Sequence, residues 1–297
     1  MSERLSISLI IITMNRCEEL QKTLVDLQEQ DTAFEWIVVD NGSTDGSPAV
    51  VREYWPKIIL IELPSNKGVA GGRNEGIKAA TGDILVFLDD DASFAQTDAL
   101  SRIRARFEEN PELGILASNS YLTTTGTPEI EAIPRRDKKI LDTDYQCSYF
   151  CGVAFAVSQK LIKDIGYFFE VYVYSCEELD LSWRAIEHGY TLVRAADIRV
   201  LHRRSVLQRT RGRKIYSDAR NRVWLAARHL PWRYVFSYAC LWWGYLSVEA
   251  FRNHLIKDFF KGVFDCIQGL PTILNDRHVL SKSTLRKIRA WHGRLFY

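Results

Sequence analysis

The chain has 297 residues, of which 46% are hydrophobic and 26% are charged, with 17 glycines and 8 prolines. This composition is ordinary for a globular protein of one large or two modest domains and excludes collagen-like and strongly charged disordered chains. The net charge is only +2, but residues 203–297 carry 19 Lys and Arg against 5 Asp and Glu, a net +14, which leaves −12 on the first 202 residues. We therefore expect two functional regions, the second of which faces anions.

The N-terminal part of the chain alternates between strand-like and helix-like segments. Apolar, β-branched runs predict strands over 5–12, 36–39, 58–63 and 84–88, and apolar spacing predicts helices over 17–30 and 69–80. This rhythm is typical of parallel βαβ units in an α/β fold with a Rossmann-like, mostly parallel sheet flanked by helices. Turn residues follow each strand, so we expect them at one edge of the sheet.

The middle of the chain contains a long irregular segment followed by further strands and helices. Residues 119–147 are rich in Thr, Pro and charge, which predicts an excursion over the surface. A strand over 150–157 and a helix over 159–165 follow. The acidic group Glu177-Glu178-Leu179-Asp180 then begins an amphipathic helix, with Asp180 expected to pair with Arg184, and residues 191–200 are extended.

The C-terminal region is basic and aromatic and is expected to be helical. Residues 234–248 are uncharged, but 15 residues fall short of the roughly 20 that a bilayer span needs. Flanking arginines, with Trp and Tyr, fit a helix that lies in a membrane interface. A buried helix of a small C-terminal bundle explains the same pattern, and the sequence leaves both interpretations open.

Three consecutive aspartates, Asp89, Asp90 and Asp91, directly follow the apolar run 84–88. Their mutual repulsion is tolerated where a cation lies between the carboxylates, and ligands bind at the carboxyl ends of strands in open α/β sheets. The alternative is a solvated acidic turn. No GxGxxG follows the first strand, and residues 68–72 lack the Lys-Ser/Thr of a P-loop, so neither a dinucleotide site nor a Walker-type site is indicated.

Five segments together resemble the family-2 inverting glycosyltransferases with the GT-A fold, in particular the rhamnosyltransferase-like type of bacterial glycan assembly. They are residues 10–16 (IIITMNR), 37–47 (IVVDNGSTDGS), 66–76 (NKGVAGGRNEG), 82–91 (GDILVFLDDD) and 177–184 (EELDLSWR). With His202 they cover roughly the first 205 residues in the order that the family has. The resemblance implies a GT-A catalytic domain over 1–205, with a nucleotide-sugar half (1–118) and an acceptor half (119–205), followed by the helical region 206–297.

The resemblance also implies roles for individual residues. The implied donor-binding residues are Thr13, Asn15, Asp40, Asn66, Lys67, Gly68, Arg73, Asp89 and Asp90. The implied ligands of a Mg²⁺ or Mn²⁺ ion are Asp89, Asp91 and His202. Glu178 corresponds to the catalytic base, and the acceptor is expected near Glu177, Trp183 and Tyr174. The donor would be a UDP- or dTDP-sugar and the acceptor a glycan or a lipid-linked molecule.

The chemistry of sugar transfer needs these residue types. A divalent cation neutralises the departing diphosphate, and a carboxylate takes the proton of the acceptor hydroxyl. Simpler explanations exist for single residues: acids are favoured at helix N-termini, and a histidine such as His202 is often only packed in the protein. The basic cluster 203–214 either closes over the diphosphate or is a solvated loop.

Three other functions remain open at this point. A catalytically silent subunit would hold a partner enzyme, but the retained Asp89, Asp91, Glu178 and His202 argue against it. A nucleotidyltransferase would need a Gly-rich, basic first loop, whereas residues 13–16 read TMNR. Nucleic acid is not expected as a partner because the first 202 residues are acidic. Six cysteines without a CxxC pair, and an N-terminus without a signal-peptide pattern, suggest a cytoplasmic protein, peripherally in contact with anionic lipid on the inner face of the membrane.

Overall fold

The computed structural model describes residues 4–204, 210–293 and 295. Within these residues a single nine-stranded sheet forms the centre of the molecule. The strands are β1 (Ile7–Thr13), β2 (Glu35–Asp40), β3 (Ile59–Glu62), β4 (Ile84–Asp89), β5 (Ala92–Phe94), β6 (Leu113–Leu122), β7 (Tyr145–Gln146), β8 (Ala154–Ser158) and β9 (Thr191–His202).

The sheet is mixed but mostly parallel, as the sequence predicts. Its order is β3-β2-β1-β4-β8-β6-β9-β5, and β7 pairs with β9. The strands β1 to β4, β6 and β9 run in one direction, whereas β5, β7 and β8 run against them. The carboxyl ends of β1, β2 and β4 therefore lie side by side at one edge, since Thr13 is in register with Asp40 and Ile12 with Asp89.

Helices cover both faces of the sheet. They are α1 (Cys17–Leu27), α2 (Ser47–Tyr54), α3 (Gly68–Ala79), α4 (Ala99–Glu109), α5 (Gln159–Ile165), α6 (Glu177–Glu187), α7 (Arg211–His229), α8 (Trp232–Arg252), α9 (Ile256–Asn275) and α10 (Lys282–Ala290).

The alternation of side chains along the strands determines which helix packs on which face. On β1, Ile7, Leu9 and Ile11 belong to the core under α1, α2 and α4, whereas Ile10 belongs to the core under α3, α5 and α6. The second core also contains buried residues of α7, α8, α9 and α10. The C-terminal helices are thus anchored to the α3 side of the sheet.

The C-terminal helices form a bundle, but one that leaves large apolar side chains in solvent. Helix α8 buries a stripe that includes Val235, Tyr238, Trp242 and Leu246. Its other sides expose Phe236 and Phe251, among others. In the part of the chain that the structure describes, no helix is both long and apolar enough to cross a membrane.

The predicted elements agree with the structure to within a few residues, with four corrections. Two helices, α2 and α4, and three strands, β5, β6 and β7, were not predicted. The strand predicted over 150–157 begins only at Ala154, and the excursion predicted over 119–147 starts as the end of β6. The extent of the helix predicted over 234–248 is the fourth correction. The helix predicted over 234–248 extends to 21 residues because charged residues at both ends point into solvent. The proposed domain boundary at 205/206, and part of the basic cluster 203–214, lie outside the described residues.

Candidate active site

A cavity of about 1400 Å³ opens along the edge of the sheet where β1 and β4 end. Its walls come from the turns after these strands, from the start of α6, and from the C-terminal helices α7 and α8. The sequence-predicted residues that line it are Thr13, Asn66, Gly68, Arg73, Asp89, Asp90, Tyr174, Glu177, Glu178 and His202. One cavity therefore contains both acidic groups that the sequence analysis singled out.

Asp89, Asp91 and His202 form a compact group of potential metal ligands. One ligand atom from each residue lies within 4.8 Å of the others. The pairing of β5 with β9, which sets Ala92 opposite His202, brings the histidine to the aspartates. Two carboxylate oxygens and an imidazole nitrogen suit a divalent cation such as Mn²⁺. The residues thus fit the metal that the sequence predicts.

The imidazole of His202 is held between two carboxylates. Its Nδ1–H donates to Glu129 Oε2 at 2.8 Å, and its Nε2 faces Asp91 Oδ1 at 3.3 Å. Although burial disfavours the charged ring, hydrogen bonds to Asp91 and Glu129 raise the pKa of His202 to about 9. A metal ion would have to displace this proton from Nε2.

Glu129 is a site residue that sequence reasoning missed. It lies in the 119–147 excursion, where no motif or periodicity marks it, yet its side chain is buried against His202. Ser120 Oγ donates to the same Glu129 oxygen at 2.7 Å, and Arg204 Nε lies 3.5 Å from the other. A carboxylate behind a ligating histidine fixes the ring orientation and the tautomer.

Asp90 is not part of the metal group, and its side chain is directed to Thr13 and Arg16. Its carboxylate accepts hydrogen bonds from Thr13 Oγ1 and from Arg16 Nη1, both at 2.8 Å. The same Arg16 nitrogen lies 3.4 Å from Asp91 Oδ2. Burial raises the pKa of Asp90, and the positive charge of Arg16 opposes this. Arg16 was not predicted as a site residue, because a single arginine in a turn carries no distinguishing pattern.

The end of the cavity beside the turns that follow β1 and β2 is built from interlocked turns. Asn15 accepts from the backbone N–H of Thr44 at 2.7 Å, and Asp40 Oδ2 accepts from that of Ser43 at 2.9 Å. The second oxygen of Asp40, Oδ1, is buried and has no hydrogen-bond partner among the described residues. Asn15 and Asp40 shape this end from behind its lining, and their donor-binding roles remain predictions.

Gly68 and Lys67 connect this end to α3. Gly68 has φ +75°, and a Cβ there would overlap the backbone of Val173, so the turn requires glycine. Lys67 directs its Nζ to Glu75 at 2.9 Å and does not line the cavity. A role for Lys67 in donor binding would need this exposed pair to open.

Arg73, Glu177 and Glu178 form a buried ionic group at the start of α6. Arg73 Nη1 lies 3.2 Å from Glu178 Oε1 and 3.6 Å from Glu177 Oε1. Its guanidinium also stacks against the rings of Phe155 and Phe168, at 5.0 and 5.4 Å from their centroids. The contact of Arg73 with both glutamates is a finding that the sequence did not predict; its role in donor binding remains a prediction.

The two glutamates have different environments. Burial, and then the neighbouring charge of Glu178, raise the pKa of Glu177 to about 8. The side chain of Glu178 is 18% exposed toward the cavity. At neutral pH Glu177 is therefore mostly protonated, and Glu178 is the carboxylate that faces a bound molecule. Gly152 is required here, since a Cβ would overlap both Arg73 and Glu178.

Asp180 anchors α6 to the C-terminal helices. It accepts from Arg184 Nε at 2.8 Å, which confirms the expected pair, and also contacts Arg228 and His229. Although burial favours the neutral acid, these cationic partners hold the pKa of Asp180 well below its usual range. The network fixes the helix whose first turn carries Glu177 and Glu178.

The structure does not support the acceptor role expected for Trp183. Its side chain is 1% exposed and packs in the core beside His229, because it lies on the inner face of α6. Tyr174, by contrast, lines the cavity with Glu177.

Comparison with known proteins agrees with this geometry. Residues 8–166 match the family model described as glycosyl transferase family 2. The chain is 28% identical over 209 residues to the glycosyltransferase AglE of Haloferax volcanii, which covers 65% of both chains. It is 27% identical over 188 residues to a poly-beta-1,6-N-acetyl-D-glucosamine synthase of Staphylococcus epidermidis, covering 60% of this chain and 45% of that one. The uncharacterized glycosyltransferase YfnE of Bacillus subtilis is 38% identical over 106 residues, 34% of this chain and 27% of the relative. The chain thus spans from about a quarter to two thirds of the length of these relatives.

Solved structures show the same fold at low sequence identity. The mannosyltransferase PcManGT from Pyrobaculum calidifontis, in complex with GDP-Man and Mn²⁺, superposes with a TM-score of 0.60 at 20% identity, covering 98% of this chain and 84% of that one. GalNAc-T7 with UDP, GalNAc and Mn²⁺ gives a TM-score of 0.64 at 16% identity, covering 81% and 50%. The fold is therefore GT-A, and since the family model matches more than half of its residues, the chain belongs to glycosyl transferase family 2.

Proposed function

We propose that this glycosyltransferase is a metal-dependent, inverting enzyme that transfers a sugar from a UDP- or dTDP-linked donor to a hydroxyl of a glycan or lipid-linked acceptor. The observation that carries the proposal is that a single cavity is lined by residues of a cation-binding group, Asp89 and His202, and by a separate carboxylate, Glu178. Because the two groups come from different elements, we assign the binding of the donor diphosphate to the cation group and the removal of the acceptor proton to Glu178.

The donor nucleotide would lie over the turns that follow β1 and β2. Asp40 supports this position, because its buried Oδ1 has no hydrogen-bond partner among the described residues. A buried acceptor without a partner is costly. Because Asp40 lies behind the lining of the cavity, a base N–H or a ribose hydroxyl would reach this oxygen once the residues that cover it move. Thr13 and Asn66 line the same end and offer further polar contacts.

The diphosphate would lie beside Asp89, Asp91 and His202, which hold a divalent cation. When bound, the cation neutralises the charge that develops on the leaving diphosphate. The imidazole ligand favours Mn²⁺ over Mg²⁺, since Mg²⁺ prefers an all-oxygen shell. Glu129 would keep His202 Nε2 directed at the cation through its 2.8 Å hydrogen bond to Nδ1.

Glu178 would act as the base that takes the proton of the acceptor hydroxyl. Glu178 suits this role because its carboxyl group faces the cavity, and Arg73 Nη1 lies 3.2 Å from its Oε1. With one base on the side opposite the leaving group, displacement at the anomeric carbon occurs once, which inverts its configuration.

The C-terminal helices would dock the enzyme on the anionic inner face of the cytoplasmic membrane. Helix α9 exposes Phe260, Phe264 and Ile267 at helical spacing, so they form one apolar stripe. The nearby cations on α8 and α9 include Arg252, Lys257 and Lys261. This combination is typical of interfacial helices that bind anionic lipid.

Vesicle sedimentation tests the docking. The protein should sediment with vesicles that contain phosphatidylglycerol but not with pure phosphatidylcholine, and binding should weaken as salt rises. Replacing Phe260 and Phe264 by Ser should reduce it. Vesicle binding that changes neither with salt concentration nor on replacement of Phe260 and Phe264 would contradict the proposal. The absence of vesicle binding would also contradict it.

Melting curves with a panel of nucleotide sugars test the enzymatic proposal. A ligand at about 100 times its dissociation constant adds about 2.7 kcal/mol of stability. UDP- or dTDP-sugars should raise the melting temperature with Mn²⁺ and should do so far less in EDTA. Equal shifts with and without metal, or none with any nucleotide, would contradict it.

A further inference from the structure

The cavity is larger than a nucleotide sugar requires, and its far wall lies outside the GT-A sheet. Pockets for single small molecules are roughly 300–1,000 Å³, whereas this cavity measures about 1400 Å³. Past Glu178 its lining passes to α7 and α8, which the family match over residues 8–166 does not include. The residues that α7 and α8 contribute to this wall are cationic and apolar, respectively.

The part of the wall from α7 is positively charged. Arg211, Arg213 and Lys214 line it within the first turns of the helix. Arg213 places its guanidinium over the ring of Tyr174, at 4.8 Å from the centroid, three residues before Glu177. The cations therefore lie close to the turn that leads into Glu177 and Glu178.

Two acids lie in the same wall, and one of them is already neutralised. Asp218 accepts from Ser175 Oγ at 2.7 Å and lies 3.3 Å from Arg222. The other, Glu249, lies on α8. Arg222 itself is partly buried, with its guanidinium over the ring of Trp242 at 3.6 Å from the centroid. The three cations at the start of α7 thus give the wall a net positive charge.

The part of the wall from α8 is apolar and leads out of the cavity. Leu241 and Tyr245 line the cavity and are about half exposed, and Val248 follows one turn further along the same side of the helix. Their spacing of four and three residues makes one continuous stripe. Phe236 lies on a different side of α8, whereas the exposed Phe251 follows Val248 by three residues and borders the stripe.

We propose that this wall is an anchoring subsite for a lipid-phosphate acceptor. The phosphate would bind Arg211, Arg213 and Lys214, and the hydrocarbon chain would follow Leu241, Tyr245 and Val248. Adjacent cations and an exposed apolar stripe complement an anionic amphiphile, whereas a free glycan would use neither. The inference rests on the proposed function, whose acceptor it narrows from a glycan or lipid-linked molecule to a glycan carried on a lipid phosphate, with the sugar hydroxyl facing Glu178.

Calorimetric titration of the full chain in metal-free buffer tests the subsite, with farnesyl phosphate, farnesol and inorganic phosphate as probes. Farnesyl phosphate should bind at least tenfold more tightly than either fragment. Lys214→Glu and Leu241→Gln should each weaken it about tenfold. The matched controls Lys57→Glu and Val25→Gln change an exposed cation and an exposed apolar residue outside both the cavity and the proposed docking surface, and should stay within twofold of the unchanged protein.

Each of the following outcomes would contradict the proposed subsite. Equal binding of farnesyl phosphate and inorganic phosphate would show that the apolar stripe does not contribute, and equal effects of Lys214→Glu and Lys57→Glu would show that the cations of the wall do not contribute. Displacement of farnesyl phosphate by UDP with Mn²⁺ would assign the cations to the donor. Stabilisation by UDP with Mn²⁺ is the separate readout of the proposed function, and it should survive in both cavity variants.

Discussion

Replacing Glu177 by Gln should change how the stability of the protein depends on pH. The pKa of Glu177 is about 8 in the folded protein and 4.5 for a free side chain. Between these values the folded protein holds a proton that the unfolded chain has released, so the free energy of unfolding falls as pH rises. The slope is at most about 1.4 kcal/mol per pH unit, which gives at most about 2.7 kcal/mol between pH 6 and pH 8.

Urea unfolding at pH 6, 7 and 8 measures this effect. Glu177→Gln has no proton to lose, so its free energy of unfolding should rise relative to the unchanged protein as pH increases, while other titrating groups cancel in the comparison. Glu53→Gln, an exposed change on α2, is the matched control and should show a constant difference. A constant difference for Glu177→Gln as well would refute the assignment of a protonated, buried Glu177 beside Arg73.

Three further predictions follow from the buried contacts. Asp91→Ala should abolish the Mn²⁺-dependent part of UDP binding, measured by calorimetry, while leaving the fold intact by circular dichroism. Glu129→Gln should weaken Mn²⁺ binding about 10- to 100-fold by electron paramagnetic resonance, whereas Glu131→Gln, an exposed change in the same segment, should not; equal effects would remove Glu129 from behind the histidine. Arg228→Met should cost about 3–5 kcal/mol in urea unfolding, because it leaves the buried carboxylate of Asp180 without one of its cations; a loss under about 1 kcal/mol would contradict that network.

The sheet edge could be predicted from the sequence because its elements are local. The apolar run before Asp89 determines a central strand, and its carboxyl end determines where the carboxylates point. Helix α4 was missed although Leu100, Ile103 and Phe107 are spaced for burial, because the charged residues between them hide the pattern. Helix α2 has only eight residues, too few for periodicity to be decisive.

The contacts that tune the site could not be predicted, since they join residues far apart in the chain. Glu129 meets His202 across 73 residues, and Arg73 meets Glu178 across 105. Neither contact leaves a spacing or composition signal. The expectation that Trp183 contacts the acceptor was wrong for a different reason. The amphipathic pattern of α6 places Trp183 on the inner face with Leu181 and Ile186, and the structure buries all three.

Glu178→Gln tests most directly whether the cation group binds the donor while Glu178 takes the proton of the acceptor. Calorimetry with UDP and Mn²⁺, and single-turnover transfer from the bound donor, should be measured on the same preparation. Binding of UDP should stay within about twofold, because Gln keeps the shape of Glu178 and does not touch the cation group. Transfer should fall by about 10²- to 10⁴-fold, the usual contribution of a general base. Full transfer in this variant, or loss of UDP binding together with transfer, would contradict the account.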